Sequence, residues 1–463
     1  MSETSASRTR RQNWASILKI AWPLIVANSF WNLQLTIDRV YLGHFSTEAL
    51  AAAISVMGVF WTPMALLQQT ASYVMTFVAQ YFGAKREDMI GGAVWQSLYV
   101  CVVGGFLMLL LIPLAPAIFR MVGHSPSVQA LEVEYFAALC YSAMPAALVA
   151  AVSGFYTGLG NTQIIIWINV VGLIANVIFD YVLIFGAFGV PRMGVAGAGY
   201  ATALANWASA AFSLWLIFSK KYELAYKMRS SWKWNVEMMK RFIRFGLPSG
   251  MQWALEGLAF TVFLIIVGRM PNGDAGLASS GIVVTVMMLA VLPVLGIAQA
   301  VLALVGQHLG EKKPREAELA AWSGLQVSEM YILLISITFV LFPQFYLSWF
   351  HNEENAALWQ QVSEMVPILL LFVATFIFFD TVNMVFSFSL KGAGDTRFVT
   401  LVALTIPWPI MVLPTYLMRD WENAVYWGWA AASAFSIAQA GVFTLRFREG
   451  KWKSMSVIGP VPT

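Results

Sequence analysis

The stretch NVVGLIANVIFD, residues 169–180, lays a polar stripe inside an otherwise apolar segment. Asn169, Asn176 and Asp180 stand at i, i+7 and i+11, which a 3.6-residue period stacks on one helical face. A carboxylate in hydrocarbon costs about 2.5–3.5 kcal/mol on the mildest scale, so it normally faces a partner, a wet cavity or an ion. The stripe therefore reads as an ion or proton site. The plainer alternative is a helix–helix contact held by amide hydrogen bonds.

Working outward, hydrophobic residues make up 59% of the 463-residue chain, and Asp, Glu, Lys and Arg only 11%, against roughly 25% in a soluble domain. That is the composition of an all-α integral membrane protein. Apolar runs of about 20 residues, the length that spans a bilayer, number twelve, the first near residues 15–42 and the last near 424–446. The first is too long, and too interrupted by Asp38, to be a cleaved signal peptide. Cys101 and Cys140 both fall inside apolar runs, which excludes a disulfide framework and a zinc cluster.

Of the 28 Lys and Arg residues, all but Arg39, Arg120, Arg192, Arg269 and Arg419 fall on the side of the N-terminus. By the positive-inside rule both termini are cytoplasmic. The net charge of +4 is this asymmetry and does not point to nucleic acid. The basic link from Lys220 to Arg244 contains Trp232 and Trp234 and reads as an interfacial segment on anionic lipid.

The chain repeats itself once. VAQYFGAKR at 78–86 returns as VGQHLGEKK at 305–313, an offset of 227, and GLGNT at 158–162 as GAGDT at 392–396, an offset of 234. Pro23 pairs with Pro248 and Gly43 with Gly268, both at 225. The period spans six helices, an even number, so both copies enter the membrane the same way: a parallel repeat of two six-helix lobes. The expected organisation is an arm at 1–14, a first lobe at 15–219, a link at 220–240, a second lobe at 241–446 and a tail at 447–463. Two such lobes can rock about a central cleft and open it to alternate sides. Nothing resembles a selectivity filter. GLGNT and GAGDT have no strand before them, so they are helix-ending turns, not phosphate loops. No nucleotide motif is present, and ATP is not the expected energy source. The chain does not read as an enzyme.

At these motifs the chain resembles the multidrug and toxin extrusion (MATE) family. The resemblance is carried by Pro23, Asp38, Gly43, AQYFGAKR, GLGNT, NVIFDYVLIFG and GVAGAGYAT in the first half, and by FGLP, Glu256, GQHLGEKK, FD and LKGAGDT in the second. It implies a V-shaped, monomeric, prokaryotic inner-membrane antiporter, without cofactor. Such a protein couples entry of H⁺ or Na⁺ to export of amphipathic, mostly cationic drugs.

Four acids lie well inside apolar runs: Asp38, Asp180, Glu256 and Asp380. Asp38 shares a helical face with Gln34, and Asp180 with Asn176. Bringing their helices together would gather the hard oxygen donors that suit a small cation, or a carboxyl pair able to share a proton. The resemblance further implies that Asp38, Asn176, Asp180 and Thr202 form a first-lobe cation site, for Na⁺ if the protein is sodium-coupled. It implies a second-lobe pair in Glu256 and Asp380. The repeat offset sets Asp38 against Phe263 and Glu256 against Trp31, so the acids do not follow the symmetry. Arg39 is rotated about 100° from Asp38 and is expected to reach the outer interface. Trp31, Gln34, Tyr73, Tyr156, Gln252 and Asn383 are candidate lining residues of a substrate cleft. Glu329, with Gln326 one turn before it, is expected to make a polar contact within its lobe. The alternative function is a lipid-linked glycan flippase, which should show several Lys or Arg in its cleft. A non-transporting sensor or scaffold would need an extramembrane domain, and no connection is long enough to hold one.

Overall fold

The computed structural model describes residues 3–350 and 356–459, with side chains from Asn13 onward. Met1, Ser2 and the last four residues of the expected tail lie outside the described residues. The helices are α1 (Glu3–Phe45), α2 (Thr47–Ser72), α3 (Val74–Gly83), α4 (Ile90–Leu109), α5 (Ala115–Val122), α6 (Pro126–Cys140), α7 (Ala143–Gly158), α8 (Gln163–Phe185) and α9 (Gly194–Ile217) in the first half. There follow α10 (Lys220–Tyr226), α11 (Val236–Gly268), α12 (Gly273–Gly310), α13 (Pro314–Leu341), α14 (Pro343–Ser348), α15 (Ala356–Ala393), α16 (Thr396–Thr405), α17 (Leu413–Leu417) and α18 (Ala424–Glu449).

Among the described residues eight helices are long and apolar enough to cross a membrane, and ten if two bent pairs, α6 with α7 and α9 with α10, each count as one span. The two other spans expected from the sequence correspond to α1 and α18, both long. They fall short in apolarity because α1 carries Asn28, Asn32, Gln34 and Asp38, and α18 carries Ser433, Ser436 and Gln439. Breaks have local causes. The span before α18 is interrupted by a π turn at Trp408–Val412, where Pro407 and Pro409 withhold two backbone donors. In the Lys220–Arg244 link, α10 turns 60° from α9, and α11 already begins at Val236.

The repeat survives in backbone detail. Lys85 and Lys312, 227 apart, both take left-handed dihedrals, with φ 56° and 59°. Each is followed by the same five-residue back-bond, Arg86 N to Tyr81 O at 2.9 Å and Lys313 N to His308 O at 2.8 Å. The turns at GLGNT and GAGDT match likewise. Gly160 and Gly394 have positive φ, and Asn161 N and Asp395 N reach back to Tyr156 O and Leu390 O, both at 2.9 Å. These are Schellman-type helix ends, as the glycines required.

The chain divides into two compact units. One holds Trp22–Ala254, Gly306–Lys313 and the described part of Ser456–Thr463. Here α8 packs along α9 at close range because Gly172 leaves room for Ser209, whose hydroxyl donates to Ile168 O at 3.2 Å. Small residues and such hydrogen bonds replace the hydrophobic drive that lipid removes. The other unit holds the described part of Met1–Ala21, Leu255–Val305 and Pro314–Met455. Its core gathers Phe263, Val283, Phe339, Leu369, Val373 and Trp429. Ser436 of α18 donates to Phe376 O of α15 at 3.0 Å, and Ser433 Oγ lies 3.1 Å from Phe372 O of α15 and 3.0 Å from Trp429 O of its own helix. Cys101 and Cys140 are free and buried.

Candidate functional site

Three helices bring the first site together. Asp38 stands two turns before the end of α1 and is 5% exposed. Asn176 and Asp180, one turn apart on α8, are fully buried, and Thr202 on α9 is 8% exposed. The Asp38 carboxyl faces Asp180, Asn176 and Thr202. Thr202 Oγ1 lies 3.5 Å from Asp38 Oδ2, but also 3.0 Å from Ala198 O of its own helix. A hydroxyl has one proton, and the shorter bond takes it, so Asp38 receives little from Thr202.

Asp38 Oδ1, both Asp180 oxygens and both Asn176 amide atoms are buried without a hydrogen-bond partner among the described residues. Most buried polar atoms in folded proteins are paired, since each orphan costs about 1–3 kcal/mol. Five orphans converging from two helices mark this group as the candidate binding site. Asp38 and Thr202, but not Asn176 or Asp180, also border a cavity of about 20 Å³, with Trp31, Gln34, Tyr135 and Asn206. That is room for about one water-sized particle.

Other residues of the stripe go elsewhere. Asn169 lies seven residues, about 10 Å, along α8 from Asn176, and its amide donates to Ile165 O at 2.8 Å. Arg39 is exposed, as its rotation from Asp38 requires. Tyr73 and Tyr156 do not line an open cleft here. Both are buried, Tyr73 edge-on to Phe77 and Tyr156 packed on Phe155 and Tyr222. Gln252 is buried at 5% exposure. The sequence reading missed Tyr135 and Asn206. Asn206 could have been found, one turn beyond Thr202 on the same face; Tyr135 left no signal.

The second cluster lies in the other unit and is more open. Glu256 on α11 and Asp380 on α15 are half-buried. Gln439 on α18, also missed from sequence, donates to Glu256 Oε1 at 2.9 Å. Asp380 faces Glu256 and Asn383, and Asn383 Nδ2 donates to Ser436 O at 3.3 Å. Phe263, the repeat counterpart of Asp38, is a core residue, its ring perpendicular to Trp429 at 5.5 Å. The two clusters are thus unlike in position and in chemistry.

Glu329 on α13 departs from expectation. Neither carboxyl oxygen has a partner among the described residues. A lone carboxylate in apolar surroundings destabilises, so Glu329→Met should raise thermal stability, by on the order of 1–2 kcal/mol. It should leave transport unchanged. A thermal-unfolding midpoint at or below that of the wild type would show that Glu329 has a stabilising partner after all.

A family model described as MatE matches residues 23–182 and again 248–417. The chain belongs to the MATE family. The two matches begin at Pro23 and Pro248, the prolines that the internal repeat pairs. Relatives of this MATE chain include the probable multidrug resistance protein NorM of Thermotoga maritima, 23% identical over 96% of this chain and 94% of that protein. Another is the protein of the same name in Xanthomonas campestris, 27% identical over 93% of each. Among solved structures, the outward-facing conformation of a multidrug resistance MATE family transporter superposes with a TM-score of 0.86 at 19% identity, covering 96% of this chain and 97% of the other. A transporter of the same superfamily from Pyrococcus furiosus, described as having a binding pocket of reverse polarity and a different function, superposes at 0.87 and 20% identity, with the same coverage. These two likenesses establish the fold. The pocket must establish the function.

Proposed function

We propose that this MATE chain is a cation-coupled antiporter that exports amphipathic, mostly cationic compounds across a prokaryotic inner membrane, working as a monomer with both termini cytoplasmic. Asp38, Asn176, Asp180 and Thr202 bind the coupling ion, H⁺ or Na⁺. Glu256 and Asp380, held by Gln439 and Asn383, attract the positive charge of the exported compound or take a second ion.

The observation that carries this reading is the group of five partnerless polar atoms around Asp38 and Asp180. A proton or one small cation answers it: carboxylate, amide and hydroxyl oxygens are hard donors, and the cavity that Asp38 and Thr202 border has room for about one water. Among the described residues no group of three or more Asp, Glu, His or Cys could hold a metal. Two carboxylates suit a single charge better than a divalent ion with six to eight oxygen ligands.

Coupling follows from competition. An acid that has taken a proton or Na⁺ no longer pulls on a cationic substrate, so ion entry releases the compound and movement of one half against the other resets access. Ethidium export from proteoliposomes, with sodium and pH gradients imposed separately, tests the proposal. Export should follow one gradient and collapse with it. Equal export with neither gradient would sink the antiport reading.

A further inference from the structure

The first unit contains a groove that the transport chemistry does not use. It has a volume of about 530 Å³ and runs between α2, α4 and the start of α11, lined by Leu66, Tyr99, Val103, Leu107, Trp234 and Ile243 among others. Its only side-chain hydroxyls are already committed: Thr70 donates to Leu66 O at 2.6 Å, and Tyr99 donates to Trp232 O. Apart from the Trp234 indole, the groove therefore offers an occupant hydrocarbon contact. From Tyr99 to Leu111 it follows the chain for about 18 Å, close to the depth of one leaflet, half of about 30 Å.

Polar recognition is possible at one end. There Trp234, Met239 and Ile243 border the groove, and their sequence neighbours Lys233, Lys240 and Arg244 are exposed. The nearby acid Glu237 is taken by Arg241. Lys233, Lys240 and Arg244 form no ion pair among the described residues, Arg244 resting 5.6 Å from the Phe245 ring centroid, so three exposed cations adjoin in sequence the residues that border this end of the groove. Trp232 and Trp234 are both exposed here, and tryptophan is enriched at the membrane–water interface, the depth of the headgroups.

We propose that this groove binds one anionic phospholipid, an acyl chain lying along α4 and the phosphate headgroup resting on Lys233, Lys240 and Arg244. The complementarity is between a phosphate and three cations without a carboxylate partner among the described residues, and between a hydrocarbon tail and a wall that is apolar except for the Trp234 indole N–H at its cationic end. The site is independent of the coupling residues, and its failure would leave the antiport reading untouched.

Native mass spectrometry of the purified protein in detergent, doped with phosphatidylglycerol or with phosphatidylcholine, tests this. Expected is one retained phosphatidylglycerol per chain and at least fivefold less phosphatidylcholine. Val103→Trp, which fills the groove, and the exposed pair Lys240→Glu with Arg244→Glu should each cut phosphatidylglycerol retention at least fivefold. The charge variant changes only surface residues and keeps the test open if Val103→Trp folds poorly. Equal retention of the two lipids, or undiminished phosphatidylglycerol in the charge variant, would overturn the assignment. So would ethidium displacing the lipid one for one, which would make the groove a drug site.

Discussion

Asp180→Asn should reduce ion-driven export to the level of protein-free vesicles while the protein inserts and folds normally. Among the described residues no group donates a well-formed hydrogen bond to the Asp180 oxygens, so the carboxylate holds little that an amide of the same shape would lose. Replacing a buried acid by a neutral isostere also removes its desolvation cost, and the unfolding midpoint should stay level or rise. What disappears is the charge that makes ion binding favourable. Thr202→Val should act far more weakly. Its hydroxyl proton is spent on Ala198 O, and a lost oxygen ligand worth about 0.5–1.5 kcal/mol lowers ion affinity by no more than about tenfold. Gradient-driven ethidium export by Asp180→Asn vesicles at the wild-type rate would remove Asp180 from the coupling site.

The sequence carried the helix faces and the repeat but not the depth at which each side chain is buried. Asn176 and Asp180 could be assigned to one face because a 3.6-residue period fixes angle. That the face turns toward Asp38 and not toward lipid depended on Gly172 and Ser209 drawing α9 against α8, a contact between helices that no local pattern announces. Aromatic residues show the same limit. Trp31 borders the small cavity, while Tyr73 and Tyr156 are packed inside, and nothing near any of the three in sequence distinguishes them. Gln439 was invisible because its partner Glu256 lies 183 residues away. Glu329 failed for the opposite reason: its one-turn neighbour Gln326 suggested a contact that its carboxyl does not make.

Gly83→Ala and Gly310→Ala should each destabilise the protein strongly, by about 3 kcal/mol, the upper part of the range for overpacking. A Cβ at position 83 would stand 2.0 Å from Gln307 O and 2.8 Å from Gln307 C. One at position 310 would stand 2.3 Å from Gln80 O and 2.9 Å from Ala84 N. These neighbours are backbone atoms, which cannot swing aside as a side chain would. The repeat offset of 227 relates Gly83 to Gly310 and Gln80 to Gln307, so each glycine lies on the repeat partner of the other's contact. The contact is reciprocal, and it sits inside one compact unit. The glutamines lock it: Gln307 Nε2 donates to Gly158 O at 2.8 Å, and Gln80 Oε1 accepts from Val457 N at 2.9 Å and from Ser456 Oγ at 3.1 Å. Because either alanine pushes the ends of α3 and α12 apart, the second should cost much less than the first. The double variant should fall short of additivity by at least about 1 kcal/mol. Gly441→Ala is the control, a helical glycine with nothing within 4 Å of its Cβ position, where alanine should be neutral or stabilising by up to about 1 kcal/mol. Thermal unfolding of the four variants separates the cases. A Gly83→Ala midpoint equal to that of Gly441→Ala would mean that the two helix ends do not meet as closely as this backbone places them.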